Sequence, residues 1–187
     1  MDFNHFTKIK RISKRLTEHE TKFFNQLQNY LDSPIYIFGS ILRLDYFKKY
    51  SDIDICIFID NKNTVISKLQ HYLKIEKNKI KYFVNTIENI NIYGYKMKYK
   101  LENNQVNPPT SKRIEILLYF QKDKDIILND SIVVSNINLY YLLLLWILKS
   151  LFYLSILNDV TYRDYKKKIM DTTRNYNQTF EVLGEIS

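Results

Sequence analysis

The chain contains no alanine, and glycine, proline and cysteine are scarce. Its 187 residues include three glycines, three prolines and one cysteine. One cysteine excludes a disulfide within the chain, so Cys56, which falls in an apolar run, is interpreted as a small core residue. Three scattered histidines and a single cysteine provide no zinc-ligand spacing. Neither a Ser-His-Asp arrangement nor a nucleophilic cysteine can be argued from this sequence.

Long apolar runs are also rare, and none predicts a membrane span. Residues 1–22 are charged throughout and lack the apolar run of a secretory signal peptide, so we expect an intracellular, cytoplasmic protein. The longest uninterrupted apolar run, Leu139 to Leu148, has ten residues and is followed by Lys149. A lysine within a spanning segment costs roughly 2.5–3.5 kcal/mol. Residues 137–157 therefore predict a buried helix, and no membrane partner is expected.

Basic residues outnumber acidic ones, which gives a net charge of +8. Such a charge ordinarily indicates a polyanionic partner. Isoleucine, asparagine, lysine and tyrosine are all in surplus, however, and their codons are AT-rich, so coding bias can account for many of the lysines. The charge therefore favours a nucleic-acid partner only modestly.

The most informative stretch is a short apolar strand that ends in Gly39-Ser40. Residues 35–38 read as a buried strand, and residues 41–50 look helical. A strand that runs into Gly-Ser and then a helix presents unpaired backbone N–H groups, which favour a phosphate. We therefore predict a phosphate cradle at Gly39 and Ser40.

A pair of carboxylates, Asp52 and Asp54, follows after a gap of eleven residues. Because a strand has a period of two, both side chains project from one face, about 7 Å apart along it. Two carboxylates this close repel each other unless a cation lies between them. Mg²⁺ takes oxygen ligands and substrate phosphates. A phosphate cradle beside a metal-binding pair indicates phosphoryl or nucleotidyl transfer.

Phe38-Gly39-Ser40, the gap and the stretch Ser51-Asp52-Ile53-Asp54-Ile55 together resemble the signature of the DNA polymerase beta-like nucleotidyltransferase superfamily. The resemblance implies an α+β nucleotidyltransferase fold, with a mixed or antiparallel sheet, covering helices and a long apolar C-terminal helix. It also implies transfer of a nucleoside monophosphate from an NTP to a hydroxyl, with release of pyrophosphate. The implied cofactor is Mg²⁺ or Mn²⁺, held by the catalytic residues Asp52 and Asp54, while Gly39 and Ser40 bind the nucleotide.

The superfamily also needs a third carboxylate, on a strand beside the Asp-x-Asp strand. Glu115 is the position that matches, as a single acidic residue in the predicted strand 113–120. The resemblance implies that Glu115 helps to bind the metal and deprotonates the attacking hydroxyl. An alternative is a salt bridge between Glu115 and Arg113 or a nearby lysine. Asp123 and Asp125 are competitors, but they read as the exposed end of the strand.

The pattern predicts a catalytic core over residues 1–130 and a C-terminal helical extension over residues 131–187. Residues 5–31 read as an amphipathic helix whose first half is basic. The polar end, residues 162–187, reads as a short helix and a frayed tail.

Two more strands are predicted before residue 113, at residues 80–87 and 93–101. The second is expected to pair antiparallel with residues 113–120. It alternates cleanly, with lysines 96, 98 and 100 on one face. The lysine row is interpreted as a solvated face, with a substrate track as the alternative.

Lys149 lies on the apolar face of the predicted helix 137–157. It either snorkels to solvent or has a function. Poly(A) polymerase-like members carry a lysine near a tryptophan on a helix after the core, and that lysine contacts the triphosphate. Residues 145–149 are similar, although Trp146 precedes the lysine, and the resemblance therefore implies nucleotide binding by Lys149.

The acceptor is left open among an RNA 3′ end, a protein hydroxyl and a small molecule. The alternative function is a catalytically weak or inactive subunit that retains the fold to bind nucleotide, RNA or a partner. Polymerase-type relatives use a fuller helical domain than residues 131–187 offer. We therefore expect either a minimal enzyme or one that works with a protein partner or as a homo-oligomer.

Overall fold

The computed structural model describes residue 12 and residues 14–87, 90–106, 108–132, 137–173 and 181–182. Three short 3-10 turns lie between the regular elements, at Gly39–Leu42, Lys77–Lys79 and Gln121–Asp123. The regular elements are α1 (Glu18–Leu31), β1 (Ile35–Phe38), β2 (Ile53–Ile59), α2 (Lys62–Leu73), β3 (Lys81–Ile87), β4 (Ile90–Asn103), β5 (Thr110–Phe120), α3 (Lys124–Ile132), α4 (Leu139–Tyr153), α5 (Asp159–Thr172) and β6 (Glu181–Val182).

The described strands form one mixed sheet in the order β3-β4-β5-β2-β1-β6. β2 and β5 are parallel, and all other neighbours are antiparallel. The predicted α+β class with a mixed sheet is therefore confirmed. The antiparallel pairing of residues 93–101 with residues 113–120 is also as predicted.

One face of the sheet is covered by α1 and α2 and holds the larger core. The alternation of β2 sends Ile53, Ile55 and Ile57 to this face, where they are fully buried. Phe24 and Leu27 of α1 are buried against the same cluster. Both β1 and β2 contribute buried residues to this core, and together they position the residues that follow β1 and begin β2.

The opposite face has a smaller core and an open half. Cys56 and Phe58 of β2 pack there with Ile127 of α3. Cys56 is fully buried and free, as predicted. Asp54, two residues earlier on the same face, is only half-buried. A cleft is therefore left over the carboxylate end of this face.

The predicted helix at residues 5–31 is wrong in its extent. The chain breaks at Thr17, which caps α1: its hydroxyl accepts from the Glu20 N–H (3.1 Å), and its own N–H donates to the Glu20 carboxylate (2.7 Å). This reciprocal capping starts a new helix at Glu18. Residues 1–11 lie outside the described residues, so of the predicted basic half the structure describes only Lys14 and Arg15.

The predicted helix at residues 41–50 is also wrong. A single 3-10 turn ends at Leu42, and the chain then runs without a regular helix to β2. The Arg15 guanidinium donates hydrogen bonds to the carbonyls of Ile41 and Arg43, both at 2.5 Å. These two hydrogen bonds satisfy backbone carbonyls of the irregular segment and tie it to the residues before α1.

The apolar segment 137–157 forms α4, a helix of 15 residues. The predicted long, buried C-terminal helix is therefore wrong: the helix is shorter than the segment, and Leu139, Leu143 and Trp146 on it are exposed. A second, more polar helix, α5, follows it. The two helices contact through Phe152 and Tyr162, whose rings stack at 4.4 Å. Tyr153 of α4 packs on Phe47 and Tyr50 of the segment before β2. In the described part of the chain, no helix is long and apolar enough to cross a membrane.

Candidate active site

Asp54 and Glu115 are neighbours on the parallel strands β2 and β5, where they stand opposite each other in the register. Adjacent strands lie about 4.8 Å apart, so the two carboxylates share one place on the sheet face. Asp52 lies just before β2 and lines the same cleft. The structure thus places the three predicted carboxylates along one cleft.

Gly39 lies against Asp54, because Phe38 pairs with Asp54 across β1 and β2. Its backbone is left-handed, with φ of 78°. A Cβ at this position would overlap the Asp54 carboxylate. Both the backbone conformation and the close approach therefore require glycine here. Ser40 follows in the same turn and also lines the cleft.

The cleft over these residues has a volume of about 660 Å³. Strands β3 and β4 form one wall, and helices α4 and α5 form the other. All six residues predicted from the sequence line it: Gly39, Ser40, Asp52, Asp54, Glu115 and Lys149.

Asp54 carries an unbalanced negative charge. Burial raises the pKa of Asp54 to about 6, and the neighbouring carboxylate of Glu115 adds to the shift. The ammonium of Lys166, on α5, acts in the opposite direction and does not cancel it. The site therefore favours an added cation.

The raised pKa of Asp54 predicts that the metal-free protein loses stability as the pH rises from about 4 to about 6. In that interval the native carboxyl still holds its proton, whereas the unfolded carboxyl has lost it. The native state thus binds more protons, and the free energy of unfolding falls with pH, by about 3 kcal/mol in total for this group. Asp54→Asn should remove this part of the pH dependence, as measured by urea unfolding in a chelating buffer.

The control is Asp60→Asn, because Asp60 is exposed at the end of the same strand. That variant should keep the wild-type pH profile. Identical profiles for wild type and Asp54→Asn would contradict the expected effect.

Asp52 forms an ion pair with Arg113 in this structure. Its Oδ1 accepts from Arg113 Nε at 2.9 Å. The guanidinium is 68% exposed and the carboxylate 36% exposed, so solvent and salt weaken this pair. Arg113 therefore pairs with Asp52, and the alternative of a Glu115–Arg113 salt bridge is not what the structure shows. Among the described residues, Glu115 has no ion pair.

Lys149 lines the cleft, but its ammonium is bound to Asp45. It contacts the Asp45 carboxylate and the Asp45 carbonyl, both at 2.9 Å. Asp45 is fully buried and also accepts two hydrogen bonds from Arg43, at 2.8 and 3.1 Å. Burial alone would raise the pKa of Asp45, but Arg43 and Lys149 hold it below its ordinary value. In this conformation Lys149 joins α4 to the loop before β2.

Sequence reasoning missed the contribution of α5 to the cleft. Lys166 and Arg163, on this helix, line it together with Tyr162. The charge of Lys166 acts directly on Asp54. A signal was available: Asn158 caps the helix by accepting from the Thr161 N–H at 2.8 Å, and such a residue is a common helix start.

The described residues contain no ready-made group of three or more His, Cys, Asp or Glu side chains that could hold a metal ion. Asp52 is paired with Arg113 instead. The chemistry of Asp52, Asp54 and Glu115 nevertheless fits a hard divalent cation, because all three offer oxygen ligands in one cleft. The raised pKa of Asp54 indicates that its negative charge is not fully compensated within this cleft.

Comparison with known families gives one match, to the nucleotidyltransferase domain, over residues 21–134. A search of curated proteins finds no match. The matched region begins in α1 and ends just after α3, so it contains Gly39, Ser40, Asp52, Asp54 and Glu115. With the mixed sheet and this arrangement of residues, the match shows that the chain belongs to the nucleotidyltransferase domain family of the polymerase beta-like superfamily.

Proposed function

We propose that the protein transfers a nucleoside monophosphate from an NTP to a hydroxyl acceptor. The observation that carries this proposal is the register pair Asp54 and Glu115, set beside the Gly39-Ser40 turn in one cleft. In the reaction the acceptor oxygen bonds to the α-phosphorus, the bond from the α-phosphorus to the bridging oxygen breaks, and pyrophosphate leaves.

Asp52, Asp54 and Glu115 would hold the divalent cation. Bound there, Mg²⁺ or Mn²⁺ supplies charge to the phosphates and lowers the pKa of the acceptor hydroxyl. Asp52 is available for this because its pair with Arg113 is exposed and weak.

The protein's own residues position the substrates and handle the proton. The absence of a side chain at Gly39 leaves room for the Asp54 carboxylate beside the turn. The backbone N–H groups of the turn and the Ser40 hydroxyl can donate to phosphate oxygens. Lys166 and Arg43 line the cleft and offset phosphate charge. Glu115 accepts the proton of the attacking hydroxyl. The predicted contact of Lys149 with the triphosphate stays a prediction, since it requires Lys149 to leave Asp45.

A second candidate is a catalytically weak subunit that binds nucleotide and retains the fold. The observation in its favour is that Asp52 is paired with Arg113 and that no three carboxylates converge among the described residues. Both candidates bind NTP, but only the first transfers the labelled group.

The deciding experiment is incubation with each α-labelled NTP, with Mg²⁺ or Mn²⁺, and with total RNA, tRNA or the protein itself as acceptor. We expect label to move to one of these acceptors with release of pyrophosphate. Binding of NTP without any transfer would favour the second candidate.

Mg²⁺ with NTP should raise the melting temperature, because a ligand that binds only the native state stabilises it. Asp52→Asn should abolish most of this gain while the unliganded protein melts close to wild type. The variant loses only an exposed ion pair, and it also removes a charge near Asp54. Differential scanning fluorimetry measures both temperatures.

Asp60→Asn serves as the matched control, since Asp60 is an exposed carboxylate outside the cleft. It should respond to Mg²⁺ and NTP like the wild type. An Asp52→Asn variant with the full wild-type gain would remove Asp52 from the metal site.

A further inference from the structure

A second cavity, of about 720 Å³, opens beside the cleft and is rich in lysine. It shares Lys96, Lys98 and Glu115 with the cleft, so the two form a continuous groove. Lys79 and Lys81 line its outer part. The four lysines, 79, 81, 96 and 98, are called the lysine groove below.

The lysine groove lies on the catalytic face of the sheet. Lys98 stands opposite Glu115 between β4 and β5, and Lys81 stands opposite Lys96 between β3 and β4. The lysine row of β4 therefore runs along the strand beside Glu115, and Lys81 extends the positive charge across to β3. From β5 to β3 the groove spans two strand spacings of about 4.8 Å each, and from Lys96 to Lys98 it extends about 7 Å along β4. The groove therefore has room for several phosphates.

The order of the strands separates this groove from the proposed NTP site. The Gly39-Ser40 turn follows β1, on one side of the register pair Asp54 and Glu115, and the lysine groove lies on the other side, over β4 and β3. The carboxylates therefore stand between a phosphate cradle and a second basic surface. The cradle and Lys166 serve the NTP, which leaves the groove for the acceptor.

The charge of the groove is not neutralised within the described residues. None of its four lysines forms a salt bridge there, whereas the next lysine of the row, Lys100, pairs with Glu102 at 3.1 Å. The nearby carboxylate of Glu76 accepts from the Asn78 side chain at 3.0 Å. An aromatic ring is also at hand: Phe83 lines the cleft, with the Lys96 ammonium 5.7 Å from its centroid.

We propose that the acceptor is a single-stranded nucleic acid whose phosphates lie in the lysine groove and whose terminal hydroxyl reaches Glu115. This inference rests on the proposed nucleotidyl transfer. A basic groove with an aromatic ring beside it is the arrangement that binds single strands, through phosphates and through stacking of a base. In the transfer the strand's hydroxyl oxygen bonds to the α-phosphorus, its proton goes to Glu115, and pyrophosphate leaves.

Binding is tested without NTP, by fluorescence anisotropy with a labelled single-stranded RNA of mixed sequence. The variant Lys81→Gln/Lys96→Gln/Lys98→Gln should bind about ten-fold more weakly or worse. The slope of log K against log salt should fall by about 2, since three phosphate contacts are lost. The readout for the NTP site uses Lys79→Gln/Lys81→Gln, since these two residues line the groove but not the cleft. This double variant should keep the wild-type melting-temperature gain with Mg²⁺ and NTP.

The matched control is Lys14→Gln/Lys22→Gln/Lys74→Gln, which removes the same charge from exposed positions outside both cavities. Its RNA affinity should stay within about two-fold of the wild-type value, and its slope of log K against log salt should stay close to that of the wild type. Equal losses in the two triple variants, or no RNA binding by the wild type, would overturn the inference. Competition by poly-glutamate as strong as that by unlabelled RNA would also overturn it, in favour of an acidic protein.

Failure of the inference is distinguishable from failure of the proposed function. Transfer of label to a small molecule or to the protein itself, without RNA binding, would overturn the nucleic-acid acceptor and leave nucleotidyl transfer standing. Absence of both transfer and stabilisation by Mg²⁺ and NTP would remove the proposed function, and with it the role of the groove as an acceptor site.

Discussion

Lys149→Met is expected to lower the free energy of unfolding by about 3 kcal/mol in urea titrations at neutral pH. The ammonium binds Asp45, which is fully buried, and the substitution leaves that carboxylate with one partner fewer. Removing one member of a buried ion pair ordinarily costs about 3–5 kcal/mol, because a charge remains without compensation. Arg43 still binds Asp45, so the expected loss lies at the lower end of this range.

The control is Lys167→Met on α5, because Lys167 is exposed and has no described ion pair. Its effect should stay within about 0.5 kcal/mol. Asp45→Asn combined with Lys149→Met should cost less than the sum of the two single substitutions, since the buried charge is then removed with its partner. Unchanged stability of Lys149→Met, together with weaker NTP binding, would instead support the triphosphate contact that the resemblance implies.

The part of the site that follows from the sequence depends on local patterns. Alternation in residues 52–59 places Asp54 on the face opposite the isoleucines, whatever the rest of the chain does. Gly39 is required by a local turn and by its neighbour on the next strand. Such features are encoded within a few residues, and the superfamily signature is built from them.

The position of Glu115 beside Asp54 could be predicted only from the resemblance to the superfamily. The distance in sequence between Asp54 and Glu115 does not predict that β5 runs parallel to β2, or that the two residues stand opposite each other. That register depends on the whole sheet, in which β5 lies between β2 on one side and β4 on the other. Strand order is a property of packing between distant segments, and one sequence does not display it.

The errors occurred where distant side chains override local preference. Residues 41–50 have a helical pattern, but Arg15 binds two of their carbonyls from a position before α1. The nucleotide contact of Lys149 stays a prediction, but its partner in this structure, Asp45, is 104 residues away, and its apolar helical neighbours do not reveal it. Neither contact has a period or a motif that would reveal it.

Glu115→Gln is expected to reduce nucleotidyl transfer by about 10²–10⁴-fold, measured as initial rates with α-labelled NTP and the acceptor that works best. Glutamine keeps the size of the side chain, but it cannot accept a proton and offers no negative charge to a metal. The cleft should remain intact, because Glu115 has no ion pair among the described residues. Loss of its charge also relieves the repulsion that raises the pKa of Asp54, so the metal-free variant should unfold no more easily than the wild type.

The matched control is Asp125→Asn, which removes a carboxylate ten positions further along the chain. Asp125 is exposed in the first turn of α3, and neither it nor Asp123 lines the cleft. Asp125→Asn and Asp123→Asn should therefore both transfer at rates close to wild type. Activity that survives Glu115→Gln and disappears with Asp125→Asn would assign the proton acceptor to α3. Because the carboxylate in register with Asp54 is that of Glu115, we expect activity to be lost in Glu115→Gln and kept in Asp125→Asn.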